Sequence, residues 1–140
     1  MAIYMLDTNI ASAIIAGRVD LDERLETHGP AWWCISAITR AELRFGVMRR
    51  PEATKLARLV DAFLVAARTE PFDARAADEF GRLRAELEGR GGGIGVADEL
   101  IAAHALSIGA VIVTDNERHF SRVPRLSIEN WLRRPPASTE

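Results

Sequence analysis

Four places in this sequence carry oxygen ligands where a fold could gather them: Asp7, Glu42, Asp98, and the pair Asp115-Asn116. Asp7 directly follows the apolar run Ile3-Tyr4-Met5-Leu6, and Thr114-Asp115-Asn116 directly follows Ala110-Val111-Ile112-Val113. Both runs read as strands buried on both faces, and the carboxyl edge of such strands is where open α/β sheets bind ligands. Carboxylates crowded into one cleft repel each other and resist ionisation. They stay charged together most easily around a cation. Oxygen donors with no Cys or His pair at ligand spacing suit a hard ion, Mg²⁺ or Mn²⁺, rather than zinc. Such an ion can polarise a phosphoryl oxygen and generate hydroxide for in-line attack on a phosphodiester. The sequence offers no convincing nucleophile–base pair for a covalent alternative.

Each acid also has a purely structural explanation. Asp7, Thr8 and Asn9 are all favourable helix N-caps. Asp98 would fall in the first turn of a helix over Val96–Ile108, where an acid offsets the helix dipole. Glu99 points elsewhere and can serve the same purpose. Glu42 lies on the inward stripe Ile38, Ala41, Phe45 of a helix, where either a metal ion or a buried arginine would compensate it. His104 is off the stripe that Asp98 shares with Ile101, Ala102 and Ala105, and reads as structural.

The elements that must position these residues alternate. Helices are expected over Ile10–Ala16, Asp20–His28, Ile38–Arg49, Glu52–Ala67, Ala74–Glu88 and Val96–Ile108. Trp32–Ser36 reads as a second strand, Gly29-Pro30 as a turn, and Leu126-Ser127-Ile128 as an edge strand with Trp131 packed near it. The apolar faces are Leu56, Leu59, Val60, Phe63 and Leu64 on one long helix, and Ala77, Phe80, Leu83 and Leu87 on the next. Gly81, beside that second face, would let a neighbour pack closely. Gly89-Arg90-Gly91-Gly92-Gly93-Ile94-Gly95 reads as a mobile loop beside the site. It is no Walker loop, because neither Lys-Ser nor Lys-Thr follows. Strands alternating with helices imply α/β layers around a parallel sheet.

The 140 residues suit one domain, expected over 1–132, with 133–140 as a frayed tail. No apolar run approaches the roughly 18 residues of a membrane helix, and no secretory leader pattern opens the chain. Cys34 is the only cysteine, so no internal disulfide can form, and a cytoplasmic location is expected. A net charge of −2 gives no global pull towards nucleic acid, so any such contact must come from a local basic patch. Lys55 is the only lysine. A phosphorylated receiver domain would want a lysine late in the chain, and Asn9 stands where an Asp-x-Asp phosphatase would carry its second acid.

Several motifs together resemble the PIN-domain ribonucleases of the VapC toxin type. They are Leu6-Asp7-Thr8-Asn9, Ala41-Glu42-Leu43 with Gly46, Ile94-Gly95 before Asp98, Ile101-Ala102-Ala103-His104-Ala105, Val113-Thr114-Asp115-Asn116 with Phe120, and Glu129-Asn130-Trp131. The resemblance spans nearly the whole chain in order and spacing. It implies a three-layer α/β domain with a central, mostly parallel sheet flanked by helices, and a Mg²⁺-dependent endoribonuclease cutting RNA by metal-activated water, with Mn²⁺ as the other ion. The metal-binding acids would be Asp7, Glu42 and Asp98. Asp115 or Asn116 would fill a fourth catalytic position, Asn116 aligning a water or a carboxylate. Thr8, Asn9 and Thr114 would orient the ligands by hydrogen bonds, and Arg82 or Arg84 would hold the RNA backbone. The resemblance further implies a VapB-like antitoxin and a homodimer. Two other readings remain: a catalytically silent module binding RNA or an antitoxin, and a nuclease of the same fold acting on DNA.

Overall fold

The opening strand is the centre of the sheet. In the computed structural model, which describes residues 2–28 and 31–132, β1 (Ala2–Leu6) pairs in parallel with β2 (Ala31–Ser36) on one side and β4 (Val111–Val113) on the other. The short edge strands β3 (Thr69–Glu70) and β5 (Ile128–Glu129) complete the order β3-β2-β1-β4-β5, and every pairing is parallel. The expected Gly29-Pro30 turn and the 133–140 tail lie outside the described residues.

Side chains alternate along a strand, and here the alternation sorts the apolar residues into two layers. Tyr4, Leu6, Ile35 and Val113 face α1 (Thr8–Ile15) and α4 (Thr54–Ala66). Met5, Cys34 and Ile112 face the other way, towards α5 (Ala74–Gly89) and α6 (Val96–Ile108). This is a three-layer α/β sandwich. Burial on both faces explains why the strands read as continuous apolar runs rather than alternating ones. Burial also pushes the Cys34 thiol up to about 12, with the Glu70 charge adding to it and the Arg68 charge opposing it, so Cys34 is an inert packing residue.

Two short helices complete the inventory: α2 (Leu21–Glu26), capped by Asp20, and α7 (Glu117–Phe120), which the sequence pattern did not suggest. One face was misassigned. On α3 (Ala37–Met48) the buried residues are Thr39 and Leu43, not the stripe Ile38, Ala41, Phe45. Phe45 is 64% exposed, and Ala41 and Glu42 are exposed too. The helix has two adjacent apolar lines. Contacts with α1 and α4 select the 39/43 line for the core and leave the other beside an open cavity of about 810 Å³. Smaller shifts occur elsewhere: Leu59 stays 41% exposed on α4, and on α5 Ala76 replaces Ala77 in the core. No atom lies close to where a Cβ on Gly81 would stand, so no tight packing occurs there. No helix among the described residues is long and apolar enough to cross a membrane.

The layering makes a contrast that stability measurements can read. Ile112, fully buried in the β4 centre, should lose about 2–5 kcal/mol when truncated to Ala. Val65→Ala, at an 89% exposed position, should stay within about 0.5 kcal/mol of the unaltered protein. Urea unfolding midpoints of the two variants would check both.

Candidate active site

Because every strand runs the same way, their carboxyl ends share one edge, and Asp7 stands on it. Its backbone N–H donates to the carbonyl of Val113, 3.0 Å away. Its side chain caps α1, with Oδ1 accepting from the Ile10 N–H at 2.8 Å. Oδ2 accepts from the Thr114 hydroxyl at 2.5 Å. Capping is thus one of Asp7's roles, but the residue is only 3% exposed. Burial raises its pKa from 3.8 to about 6; the bonds from Thr114 and Ile10 oppose the rise, and the charges of Asp98 and Glu42 add to it. An acid made harder to ionise by burial, and further by two neighbouring charges, is the arrangement a cation would relieve.

Thr114, at the end of β4, links Asp7 to the rest of the edge. Its hydroxyl donates to Asp7 and accepts the backbone N–H of Asn116 at 2.8 Å. The Asn116 side-chain amide in turn lies 3.4 Å from Asp98 Oδ2. A relay Asp7–Thr114–Asn116–Asp98 therefore joins the ends of β1 and β4 to the first turn of α6. Glu42 approaches from α3, where its Oε1 accepts from the Thr8 hydroxyl at 2.5 Å. That hydroxyl lies 3.3 Å from the one on Thr39.

The two candidates for the fourth position separate. Asn116 turns to Asp98, whereas Asp115 is exposed and accepts from the Asn130 side-chain amide at 3.0 Å. Asn9 is exposed, and none of the hydrogen bonds among the described residues joins it to the acids. Glu42 is exposed rather than inward-facing, so it sits at the mouth of the site. The charges of Asp98 and Glu42 both reach Asp7. Even so, among the described residues no three His, Cys, Asp or Glu groups stand close enough to hold one ion as they are placed. By donor chemistry, the set of three carboxylates, one amide and the hydroxyls suits a hard divalent ion.

Other expectations change. Glu99 is wholly buried, and Arg84 Nη1 donates to its Oε2 at 2.9 Å. Arg82 pairs with Glu79 at 2.5 Å. Each arginine thus already has an acidic partner. Arg122 donates to the Gly92 carbonyl at 2.6 Å, so the glycine loop has an anchor. A Cβ on Gly93 would fall 2.4 Å from Glu99 Oε1, so any larger residue there would have to displace that buried side chain. His104 is structural: it is buried, with Nδ1 2.8 Å from Ser36 Oγ. A residue that sequence reasoning overlooked is His119 on α7, whose Nδ1 lies 2.8 Å from Asn116 Nδ2 and 3.4 Å from Asp98 Oδ2. Its spacing of three from Asn116 was the available signal, but only with α7 recognised as a helix.

Two expected outcomes follow. The folded-state value of Asp7 lies above its ordinary value, so the folded protein holds that proton more tightly than the unfolded chain does. Ionising Asp7 therefore removes stability as pH rises from about 4 to about 6, by about 3 kcal/mol once complete. Asp7→Asn should abolish this loss, so its stability relative to the unaltered protein should grow across that window in metal-free denaturation curves. Thr114→Val should move the midpoint of the loss to higher pH. Separately, Arg84→Ala strands the buried Glu99 carboxylate and should cost about 2–3 kcal/mol, read by thermal unfolding.

Comparison with known proteins agrees with this architecture. The PIN domain family model matches residues 4–126. Ribonuclease VapC2 of Rickettsia felis is 38% identical over 134 residues, covering 92% of this chain and 98% of that protein. The tRNA(fMet)-specific endonuclease VapC of Salmonella typhimurium is 36% identical over 129 residues, covering 91% and 97%. Among solved structures, a chain of VapBC2 from Rickettsia felis bound to a promoter DNA fragment superposes with a TM-score of 0.84, covering 92% of this chain and 98% of that one at 38% identity. A chain of DNA-bound VapBC from Salmonella typhimurium gives the same TM-score at 36% identity, covering 94% and 99%. With a family model matched over most of its length and relatives of this similarity end to end, the chain belongs to the PIN domain family and, within it, to the VapC group.

Proposed function

We propose that this protein is a divalent-metal-dependent endoribonuclease, the toxin of a VapBC-type pair acting in the cytoplasm, with Mg²⁺ or Mn²⁺ as its ion. The observation that carries the reading is Asp7: a buried carboxylate at the centre of the strand-end edge, its pKa raised to about 6, sharing its electrostatic field with Asp98 and Glu42. The names of similar proteins, ribonuclease and tRNA(fMet)-specific endonuclease, support RNA as the substrate.

Asp7, Asp98 and Glu42 would hold the ion, which when bound polarises the phosphoryl group and lowers the pKa of water. The chain's own contributions are positional. Thr114 and the Ile10 N–H fix both oxygens of Asp7, Thr8 holds Glu42, and Asn116 steadies Asp98. Hydrogen-bonded carboxylates of this kind lose little orientational freedom when a ligand arrives. Asp115, tied to Asn130, lies outside this group, so its catalytic role would be indirect.

A VapB-like antitoxin is the proposed partner, in keeping with the VapBC complexes among similar structures. The open apolar cavity between α1, α3 and α4 is lined by Thr8 and Glu42 as well as by Phe45 and Leu59, which suits a peptide that also covers the acids. We further propose that the protein works as a homodimer.

One observation favours a second reading, a silent module that binds RNA or antitoxin without cutting. Among the described residues no three acids are close enough to share one ion. The decisive experiment incubates the purified, partner-free protein with total RNA, with and without Mg²⁺ or Mn²⁺. The enzyme reading expects discrete metal-dependent fragments, lost by at least about a hundredfold in Asp7→Asn. Equal cleavage by Asp7→Asn, or no cleavage by a folded protein with either ion, would overturn it.

A further inference from the structure

His119 brings a nitrogen donor to a site otherwise built of oxygens. Its ring stands on α7 beside Asp98, and both side chains are partly open to solvent, 43% and 31% exposed. The Asn116 amide nitrogen lies 2.8 Å from His119 Nδ1 and 3.4 Å from Asp98 Oδ2. An amide nitrogen can only donate, so Nδ1 is the acceptor in that pair. In that arrangement Nδ1 faces the same small space as a carboxylate oxygen.

The separation of these two acceptors is informative. Nδ1 and Oδ2 are 3.4 Å apart, longer than a strong charge-assisted hydrogen bond. It is near the edge of roughly 3 Å that separates adjacent donors when an octahedral ion holds its ligands at about 2.1 Å. A movement of a few tenths of an ångström by an exposed ring closes the difference. Neither other histidine can take this part: His104 is bonded to Ser36 Oγ and His28 to Glu129 Oε1, each at 2.8 Å.

We propose that His119 Nδ1 and Asp98 Oδ2 together ligate the divalent ion, and that the imidazole makes the site prefer Mn²⁺ to Mg²⁺. The inference rests on the metal-dependent reading above and goes beyond it in naming a ligand and its consequence. Mg²⁺ takes oxygen ligands almost exclusively, whereas first-row transition ions accept imidazole readily. Replacing one oxygen by a ring nitrogen therefore shifts selectivity without a change of fold. Asn116 then becomes the donor that orients Asp98, its bond to the ring exchanged for the ion.

Binding itself, rather than cleavage, gives the test. Untagged full-length protein is titrated with Mn²⁺ alone and studied by pulsed electron paramagnetic resonance, alongside His119→Gln and a sample grown with heavy-nitrogen histidine. The expected result is a directly coordinated nitrogen that changes with the isotope and disappears in His119→Gln. Displacement by Mg²⁺ should show the Mn²⁺ preference falling at least about tenfold in that variant, since loss of even an outer-shell partner costs that much affinity. Bound Mn²⁺ with no nitrogen coupling, or with coupling that survives in His119→Gln, would refute the assignment while leaving the metal site intact. The isotope arm needs no substitution, so poor folding of the variant cannot hide the answer. Absence of any bound Mn²⁺ would instead overturn the metal-dependent reading, and this inference with it.

Discussion

A single hydrogen bond, from the Thr114 hydroxyl to Asp7 Oδ2, spans 107 positions of sequence and joins the two central strands at the edge where they end. The rest of the site depends on it. A carboxylate buried to 3% exposure is tolerable only if its oxygens are met by donors. The helix start at Ile10 supplies one donor and the end of β4 supplies the other. Those donors converge only because β1 and β4 are neighbours running in parallel, with Leu6 in register with Val113. The sheet order, the N-cap and the relay to Asp98 are thus three expressions of one requirement: to keep an acid dry and still aimed at the edge.

Much of this was legible in the chain itself. Ile3–Leu6 and Ala110–Val113 are apolar at every position because both of their faces are covered, and a polar residue immediately after such a run has one place to go. Asp7 and Thr114 were therefore readable as edge residues. Asp98 was readable too, since Ile101, Ala102 and Ala105 mark its face of α6.

What escaped had physical reasons. On α3 the apolar residues form two adjacent lines, and only the neighbours α1 and α4 decide which line is covered. Glu99 reads in sequence only as a first-turn acid offsetting the helix dipole, because its partner, Arg84, sits 15 positions earlier on another helix. Asp115 and Asn116 are adjacent, so no spacing rule separates them. A distant residue, Asn130, draws Asp115 away. His119 lies on a helix of four residues, too short for periodicity to register.

The same pairing of β1 with β4 has a consequence for how the protein comes into being. Asp7 is synthesised 107 positions before its partner Thr114, whose strand is also its neighbour in the sheet. Non-local parallel pairing must wait for the distant segment and is slow to form. Until β4 emerges from the ribosome, β1 can pair only with β2, and Asp7 has no hydroxyl to hold its second oxygen. The growing chain therefore carries its acids apart and unaligned, and the edge that holds them takes shape only once β4 has been made.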